Sequence, residues 1–391
     1  MQRIESMEHH NQEWAEYSLG ELLSYEQPTQ YIVESTEYND AYETPVLTAG
    51  KSFILGYTNE EDGIYDQLPV IIFDDFTTAT QYVNFKFKVK SSAMKILTPV
   101  QDLVLPKFIF YRMQIINFDH STHKRYWLQQ YSKIRVSVPP LPEQKRIVAR
   151  IEEMFSQLDA GVETLKKTKA QLAVYRQAVL KEAFDSIEAS FYHPLRAAIL
   201  GSPQNGLYKP KSDYCDNGTP ILRIDGFYDG FILSDYSFKR VNLSAEEIER
   251  YRLELGDLVV NRVNSMPYLG KCALVRSLIE PTVFESNMMR IKLDTDKVEG
   301  DWITYYLSSH SGRKELTKNA KQAVNQASIN QTDVGNALVP IPSINEQKRL
   351  VTVIESRLSV CDSIDQTIDM ALQQSEAMRQ SILKDAFEGR L

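Results

Sequence analysis

Cysteine is scarce in this sequence, and long apolar runs are missing from it. The 391 residues include three cysteines, Cys215, Cys272 and Cys361, which lie too far apart for a Cys-x-x-Cys metal or redox pair. No apolar run approaches the roughly 20 residues that a membrane helix needs. Proline and glycine, 16 residues each, show none of the bias that marks disorder. We therefore expect reduced, inert thiols and a folded, cytoplasmic protein of two or three domains.

The signatures of catalysis are missing too. Gly50-Lys51-Ser52 matches the end of a phosphate-binding loop, but Pro45 stands where that loop needs its upstream glycine. Pro139-Pro140 follows a valine and precedes a leucine, so it lacks the Asn or Asp and the aromatic residue of adenine methyltransferases. The histidines lack a third ligand at metal spacing. The sequence therefore predicts a protein with no catalytic residue, no metal site and no cofactor of its own.

Positive charge is in deficit overall and unevenly distributed. The formal net charge is -8, which is unusual for a protein that approaches phosphates. Residues 1–79 carry 2 Lys or Arg against 16 Asp or Glu, whereas residues 80–138 carry 10 against 2. Residues 188–340 are near balance, with 18 against 19. A basic face on the first part of the chain is compatible with nucleic-acid binding, and a partner would have to add to nonspecific affinity.

An internal repeat organises the chain. The segment from Pro139 to Phe184 returns, without a gap, from Pro342 to Phe387 at a constant offset of 203 residues. The pair of Glu-Gln-Lys-Arg elements at 143–146 and 346–349 opens the two copies, and Ala-Phe closes each of them. Chance does not produce such a match, so the chain reads as globular segment, repeat, globular segment, repeat.

Each repeat predicts a long helix with one apolar stripe. Apolar residues recur at spacings of three and four, from Ile147 to Val179 and from Leu350 to Ile382, with Tyr175 and Met378 in matching places. Ser343 to Glu346 has the spacing of a capping box, and Gly161 is a candidate kink. The simplest cover for each stripe is the other copy, and an antiparallel coiled coil is favoured. The alternative is that each helix packs on its own globular domain.

The globular segments combine strand-like and helical patterns, which predicts an α+β fold. Strands are predicted at 70–73 and 82–89 in the first segment and at 219–224 and 257–262 in the second, where a helix is expected at 301–311. The predicted domains are 1–138 and 188–340, each a globular unit, and 139–187 and 341–391, each a long helix.

The repeated motifs carry a resemblance to a known family. Pro139 to Val148 (PPLPEQKRIV), Ile341 to Val351 (IPSINEQKRLV) and the final Ala-Phe-Glu-Gly-Arg-Leu resemble the specificity subunits of Type I restriction-modification systems. Gly218 to Ile224 and Gly256 to Val259 are similar to elements of that family's variable domains. The first globular segment departs from this pattern, and through Thr48 to Ser52 and His123 to Trp127 it resembles a second type of variable domain.

The resemblance implies an architecture and partners. It implies two target recognition domains, each reading one half of a bipartite DNA site, related by a pseudo-twofold axis. The helices are implied to fix the spacing and to dock two modification subunits, which use S-adenosylmethionine to methylate adenine. Restriction/translocase subunits would complete the full complex. The competing hypothesis is a coiled-coil scaffold or adaptor with two protein-binding domains, which the acidic net charge favours slightly.

Both globular segments contain clusters of side chains that suit DNA. Arg and Lys read guanine, Asn and Gln read adenine, and Lys, Arg, Ser and Thr hold phosphates. For any single member a solvated surface role is the alternative, and Trp127 is expected in the core. The candidates are Lys51, Thr78, Thr80, Gln81, Lys86, Lys88, His123, Lys124, Arg125, Gln129, Arg223, Asn261, Arg262, Asn264, Ser265, Tyr268, Lys271, Lys321, Gln322, Gln326 and Asn330.

Overall fold

The computed structural model of the chain describes residues 14–50, 52–120, 125–228, 230–233, 237–324 and 326–391. It divides into two compact units. The first unit holds residues up to Leu165 together with Asp369–Leu391, and the second holds Lys166–Ile368. Each unit therefore contains one globular domain and parts of both long helices, so the units are a different division from the four sequence segments.

The first globular domain is built on short strands and three short helices within its described residues. Its central sheet has the antiparallel order β2-β8-β5-β6, a second sheet has the order β4-β3-β7, and β1 pairs with β9. The strands are β1 (Ala15–Ser18), β2 (Leu23–Glu26), β3 (Thr44–Leu47), β4 (Ile54–Thr58), β5 (Val70–Asp74), β6 (Thr80–Val83), β7 (Lys88–Val89), β8 (Met94–Pro99) and β9 (Arg135–Val138). The helices are α1 (Leu19–Leu22), α2 (Pro106–Met113) and α3 (Tyr126–Gln129).

The single strand predicted at 82–89 is wrong, because these residues do not form one continuous strand. The alternating pattern of 82–89 forms two strands, β6 and β7, that belong to different sheets. The chain leaves β6 after Val83 and crosses to pair in parallel with β3. Trp127 is 1% exposed and lies in the core of this domain, as predicted.

The second globular domain also mixes short sheets and helices. Its sheets have the orders β11-β21-β17-β19, β12-β16-β13-β20 and β18-β23-β22, and β14 pairs with β15 and β10 with β24. The strands are β10 (Tyr192–Pro194), β11 (Gln204–Asn205), β12 (Tyr214–Cys215), β13 (Thr219–Leu222), β14 (Phe227–Tyr228), β15 (Phe231–Ile232), β16 (Lys239–Val241), β17 (Asp257–Asn261), β18 (Val263–Asn264), β19 (Cys272–Leu274), β20 (Val283–Phe284), β21 (Met288–Lys292), β22 (Lys321–Ala323), β23 (Gln326–Ser328) and β24 (Leu338–Pro340). The domain's helices are α5 (Ala245–Tyr251), α6 (Gly300–Ser308), α7 (His310–Thr317) and α8 (Gln331–Asn336).

The two repeats are the long helices α4 (Leu141–Asp185) and α9 (Ile344–Phe387). The first runs through Gly161 without interruption, because the helical residues on both sides carry the backbone through it. At the start of α9 the Ser343 hydroxyl accepts from the Glu346 amide at 3.3 Å. In a full capping box the Glu346 carboxylate would also accept from the Ser343 amide. Here that carboxylate instead pairs with Arg349 at 2.7 Å.

Within each unit the two helices pair antiparallel, as predicted. In the second unit Lys169 pairs with Asp365 at 3.6 Å and Arg176 with Asp362 at 2.5 Å, so numbers rise along α4 as they fall along α9. In the first unit Asp159 pairs with Arg379. The offset of 203 converts Asp159 to Asp362 and Arg176 to Arg379, so the repeat forms the same ion pair once in each unit.

The helices also pack on the globular domains, so both proposed covers for the stripe occur. Ile147 and Ile151 of α4 join Phe387 of α9 in the core of the first unit. Phe184 of α4 joins Ile354 of α9 in the core of the second unit. The predicted stripe is wrong at two positions: Tyr175 is 45% and Met378 is 53% exposed, because the stripe drifts around the helix over many turns.

A buried glutamine explains the Glu-Gln element that opens each repeat. Gln144 is fully buried, accepts from the Leu105 amide at 2.8 Å and donates to the carbonyl groups of Leu103 and Pro139 at 2.9 Å. The equivalent residue of the second repeat, Gln347, makes the same three bonds at 2.8 to 3.0 Å. Each amide thereby ties the start of a long helix to the loop before a helix of its domain.

Candidate nucleic-acid interface

A tight turn between β5 and β6 positions the polar candidates of the first domain. The Asp74 carboxylate accepts from the amides of Phe76 at 2.8 Å and Thr77 at 3.0 Å, and Thr78 adopts a positive φ of 58°. The Thr78 hydroxyl lies 2.9 Å from the His120 ring nitrogen Nε2, which also lies 3.0 Å from the Thr77 carbonyl oxygen. The turn is therefore fixed by its own Asp74 and by one side chain, that of His120, from a segment about forty residues further along the chain.

The same turn is joined to the start of α3. The amides of Tyr126 and Trp127 donate to the carbonyl and the carboxylate of Asp75 at 2.9 and 2.8 Å. Arg125, the residue before this helix, is exposed, as is Gln129 on its last turn. Thr78 and Arg125 thus belong to one neighbourhood, as clustered candidates require. Phe76, 48% exposed at the tip of the turn, is a member that sequence reasoning missed.

Other candidates of the first domain occupy different environments. Lys86 is exposed, whereas Lys88 is 4% exposed and its Nζ lies 2.7 Å from both the Glu60 carboxylate and the Asp62 carbonyl oxygen. Lys88 therefore lies inside the domain with its charge already neutralised, which argues against a DNA contact, and that contact stays a prediction. Thr80 is 8% exposed and its hydroxyl accepts from the Gln114 amide, which argues against a DNA contact of Thr80 in the same way.

Gln81 is half-buried on β6, at the edge of the central sheet. The candidates Lys51, His123 and Lys124 lie outside the described residues.

In the second domain, a hairpin and a loop meet at one short strand. The hairpin is β22 and β23, and it exposes Lys321, Gln322 and Gln326. Strand β23 pairs with β18 through Val263 opposite Ser328 and Asn264 opposite Ala327. Residues 265–271, which we call the tyrosine loop, follow β18 directly. The fold therefore brings the candidates near 264–271 and those near 321–326 together on one surface.

The tyrosine loop carries a lysine between two aromatic rings. The Lys271 ammonium lies 3.4 Å from the ring centre of Tyr228 and 4.3 Å from that of Tyr268. These rings are 37% and 43% exposed, so both also face solvent. A cation over an aromatic face is stabilised by the ring's electron density. The ammonium is therefore held at a defined place beside two exposed rings. Tyr228 was not among the predicted candidates, because nothing in the sequence near it shows that it lies beside Lys271.

Three further candidates have internal partners. Asn261 is fully buried and donates to the Tyr268 carbonyl at 3.3 Å, so it holds the tyrosine loop in this structure, and its base contact stays a prediction. Arg262 donates to the Ser286 carbonyl at 3.0 Å and is half-buried. Asn330 is exposed and caps α8, where its side chain accepts from the Asp333 amide at 3.0 Å.

Arg223 stands against a buried carboxylate. Its Nε lies 3.5 Å from Glu285, whose Oε1 accepts from the Ile224 amide at 2.8 Å. Burial raises the pKa of Glu285, and the backbone bond and the Arg223 charge oppose that shift. The charge of Arg223 is therefore partly balanced by Glu285, although the Arg223 side chain is half-exposed.

In the described ranges, no helix is long and apolar enough to cross a membrane, and no group of acidic, His or Cys side chains has the arrangement of a metal site.

Comparison with known proteins identifies the family. The model of the Type I restriction modification DNA specificity domain matches residues 11–173 and again residues 199–374. The chain belongs to this family. The domain therefore occurs twice, and each match covers one globular domain with much of the long helix that follows it.

Named specificity subunits resemble the chain over most of its length. The Type I restriction enzyme EcoR124I/EcoR124II specificity subunit of Escherichia coli is 33% identical over 91% of this chain and 89% of its own length. The EcoKI specificity subunit of Escherichia coli strain K12 is 28% identical over 67% of this chain and 58% of its own length. The resemblance predicted from the repeated motifs is confirmed.

A solved structure supports the fold. A chain from a study of complex assembly and conformational transition in the Type I restriction-modification system superposes with a TM-score of 0.69, at 17% identity, over 97% of this chain and 99% of that one. The predicted α+β fold with paired long helices is confirmed. As a specificity subunit the chain has a DNA-recognition role, so the scaffold hypothesis is set aside.

Proposed function

We propose that each globular domain of this specificity subunit binds one half of a bipartite DNA site. The observation that carries the proposal is the meeting of hairpin and tyrosine loop in the second domain, because it collects exposed amide and cationic side chains on one surface. Extended hairpins enter a DNA major groove, where Gln and Lys discriminate base edges. In the first domain the turn at 74–78 and the start of α3 are the corresponding candidates.

The chemistry of modification is assigned to partners. The sequence lacks the motifs of methyltransferases and nucleotide hydrolases, so we propose that this chain is non-catalytic and binds no cofactor. Methyltransferase subunits would bring S-adenosylmethionine, and restriction/translocase subunits would join them in the full complex. The isolated chain would then show no methyl transfer, DNA cleavage or ATP hydrolysis.

Docking of two identical modification subunits is supported by what the repeats share at their surface. Of the 16 positions from 160 to 175, two match their counterparts 203 residues on, whereas the exposed residues Ser156 and Gln177 are identical to Ser359 and Gln380. Exposed residues are under no packing constraint, so identity at these places indicates a shared role.

These identical residues form one cleft in each unit. The first cleft is lined by Ser156, Asp159, Arg379 and Gln380, and the second by Ser359, Asp362, Arg176 and Gln177. Tyr111 also lines the first cleft, and Tyr305 lines the second. Burial raises the pKa of each tyrosine to about 12, and the charge of a helix glutamate, Glu152 or Glu355, adds to the shift. Two equivalent clefts suit two copies of one partner.

An exchange of the second domain tests the DNA-binding proposal. Residues 188–340 would be replaced by the matching segment of a specificity subunit with a different target, and methylated sites would be mapped in cells that carry the complete system. We expect one half of the methylated sequence to change and the other to stay, because contacts to separated base pairs are roughly additive. Changes in both halves would refute the assignment of one domain to one half-site.

A further inference from the structure

The backbone of the tyrosine loop is held from outside the loop. Arg313 of α7 donates from Nη2 to the Pro267 carbonyl at 2.7 Å and from Nε to the Leu269 carbonyl at 3.2 Å. The carbonyl between them, that of Tyr268, accepts from Asn261 at 3.3 Å. Three successive carbonyl groups are therefore bound by side chains, which leaves the loop little freedom to rotate its peptide planes.

Helix α7 also lies close against the loop's last turn. Gly270 has a φ of +74°, and a Cβ at this residue would lie 3.2 Å from the Thr317 Cγ2 and 3.6 Å from the Leu316 Cβ. A side chain there would strain the backbone and push the loop from the helix. The contact and the two arginine bonds fix the same segment from one side.

The fixed segment presents its side chains outward. Met266 is 41% and Tyr268 is 43% exposed, and Tyr268 supplies one of the two rings beside the Lys271 ammonium. If the loop backbone shifted, this ring would move with it and the lysine would lose one of its aromatic neighbours. Arg313 therefore controls the place of a cation and a ring through the backbone, although the residue itself is half-buried.

We propose that Arg313 is a positioning residue for DNA recognition by the second domain, acting through the tyrosine loop. It fixes the loop before DNA arrives, so that Tyr268 and Lys271 meet the duplex without an ordering cost at the moment of binding. The inference rests on the proposed function of this surface. It predicts that Arg313 influences affinity only while the loop's own contacts are intact.

A double-mutant cycle tests this coupling. The full complex with its methyltransferase subunits would be titrated with a fluorescent duplex that carries the methylated sequence identified in cells. We expect Arg313→Gln and Tyr268→Ala each to weaken binding by about tenfold. We expect the double variant to bind no more weakly than Tyr268→Ala alone. Independent, multiplicative losses would overturn the proposal and make Arg313 a separate contact.

Two further variants separate positioning from charge and from folding. Arg240→Gln removes the same charge and also a bond to a backbone carbonyl, that of Gly218 at 2.9 Å, and we expect its affinity to stay within about twofold of the parent. Gly270→Ala disturbs the loop from its own side and should reproduce the loss seen with Arg313→Gln, again without multiplying it. It also serves as the test if Arg313→Gln does not fold. Unchanged affinity in Gly270→Ala would overturn the proposal.

The hairpin distinguishes failure of this inference from failure of the proposed function. If Gln322→Ala with Gln326→Ala weakens binding while the Arg313 and Tyr268 variants do not, the surface binds DNA and the positioning role is wrong. If none of these variants changes affinity, the assignment of this surface to DNA fails first. Arg313→Lys, which offers one ammonium for two carbonyl groups, should fall between the parent and Arg313→Gln.

Discussion

The Nζ of Lys88 lies 2.7 Å from Glu60, and the lysine side chain is 5% exposed. Lys86, two residues earlier, is exposed. The two lysines therefore lie in opposite environments, although they are only two residues apart in the sequence. One neutralises an acidic segment inside the first domain, and the other is available to a phosphate.

Substitution of each lysine should separate stability from DNA binding. Lys88→Met leaves the Glu60 carboxylate and the Asp62 carbonyl without their cation, and we expect the free energy of unfolding to fall by about 2 kcal/mol. Lys86→Met should change the free energy of unfolding by less than about 0.5 kcal/mol. It should make the slope of log affinity against log salt concentration shallower by about one, as expected for one lost phosphate contact. Urea unfolding and anisotropy titrations measure both. A stable Lys88→Met variant with weakened DNA binding would contradict this assignment.

The effect of Lys88 should depend on pH with a defined sign. Burial raises the pKa of Glu60, but bonds from Lys88 and from the amides of Ser35 and Glu34 outweigh it, so the pKa lies below the ordinary 4.5. A carboxyl with a lowered folded-state pKa contributes stability above its ordinary value and loses it as the pH falls through the folded value. The difference between parent and Lys88→Met should therefore narrow below pH 4.5.

At the scale of elements, a repeated ion pair marks the register in which α4 and α9 face each other. Asp159 pairs with Arg379 in the first unit, and Asp362 pairs with Arg176 in the second. Arg379 also lies over the Phe155 ring at 4.7 Å. These are surface pairs, so each contributes modestly to stability, but their geometry identifies which residues face each other.

Charge reversal should test that register. Asp159→Arg places two arginines together, and we expect a loss of about 1 kcal/mol in the free energy of unfolding. Adding Arg379→Asp should recover about half of it, because the contact with Phe155 is not restored. Adding Arg176→Asp instead should lower the free energy of unfolding further, since it places two carboxylates together in the other unit's pair. Equal recovery by both second substitutions, measured by urea unfolding, would argue against the described pairing.

At the scale of the whole molecule, the two equivalent clefts predict a stoichiometry. Ser156→Arg places a long cation in the first cleft and Ser359→Arg does so in the second, each at an exposed position. We expect the parent to bind two methyltransferase subunits, each single variant one, and the double variant none. Native mass spectrometry of the assembled complex measures these numbers.

A matched control position lies on α9, the helix that carries Ser359. Val353 is 43% exposed, and its counterpart in the first repeat is Arg150. Val353→Arg therefore installs the same residue as the test variants at a position where the copies differ, and two subunits should still bind. Retention of two subunits by the Ser156→Arg, Ser359→Arg double variant would show that the clefts are not the docking surfaces.

The repeat, the two long helices and the family could be predicted from the sequence alone, because these depend on periodicity and on motifs within a continuous segment. The helix bounds were predictable to within a few residues, and the helix continues through Gly161 because a long helix absorbs one weak residue. The buried Trp127 followed from its size and apolar surface. Strand 82–89 was predicted less well, because an alternating pattern does not show that a strand changes sheets.

The polar residues that face solvent can be told from those that hold the protein together only in the folded chain. Lys88 and Asn261 share their residue types with exposed candidates, and nothing in the adjacent sequence marks Glu60 or Tyr268 as their partners. The same holds for Arg313, whose carbonyl acceptors lie more than forty residues earlier. Local sequence fixes helices because their bonds are local; a binding surface is assembled from distant segments, so its members become known only when the chain has brought those segments together.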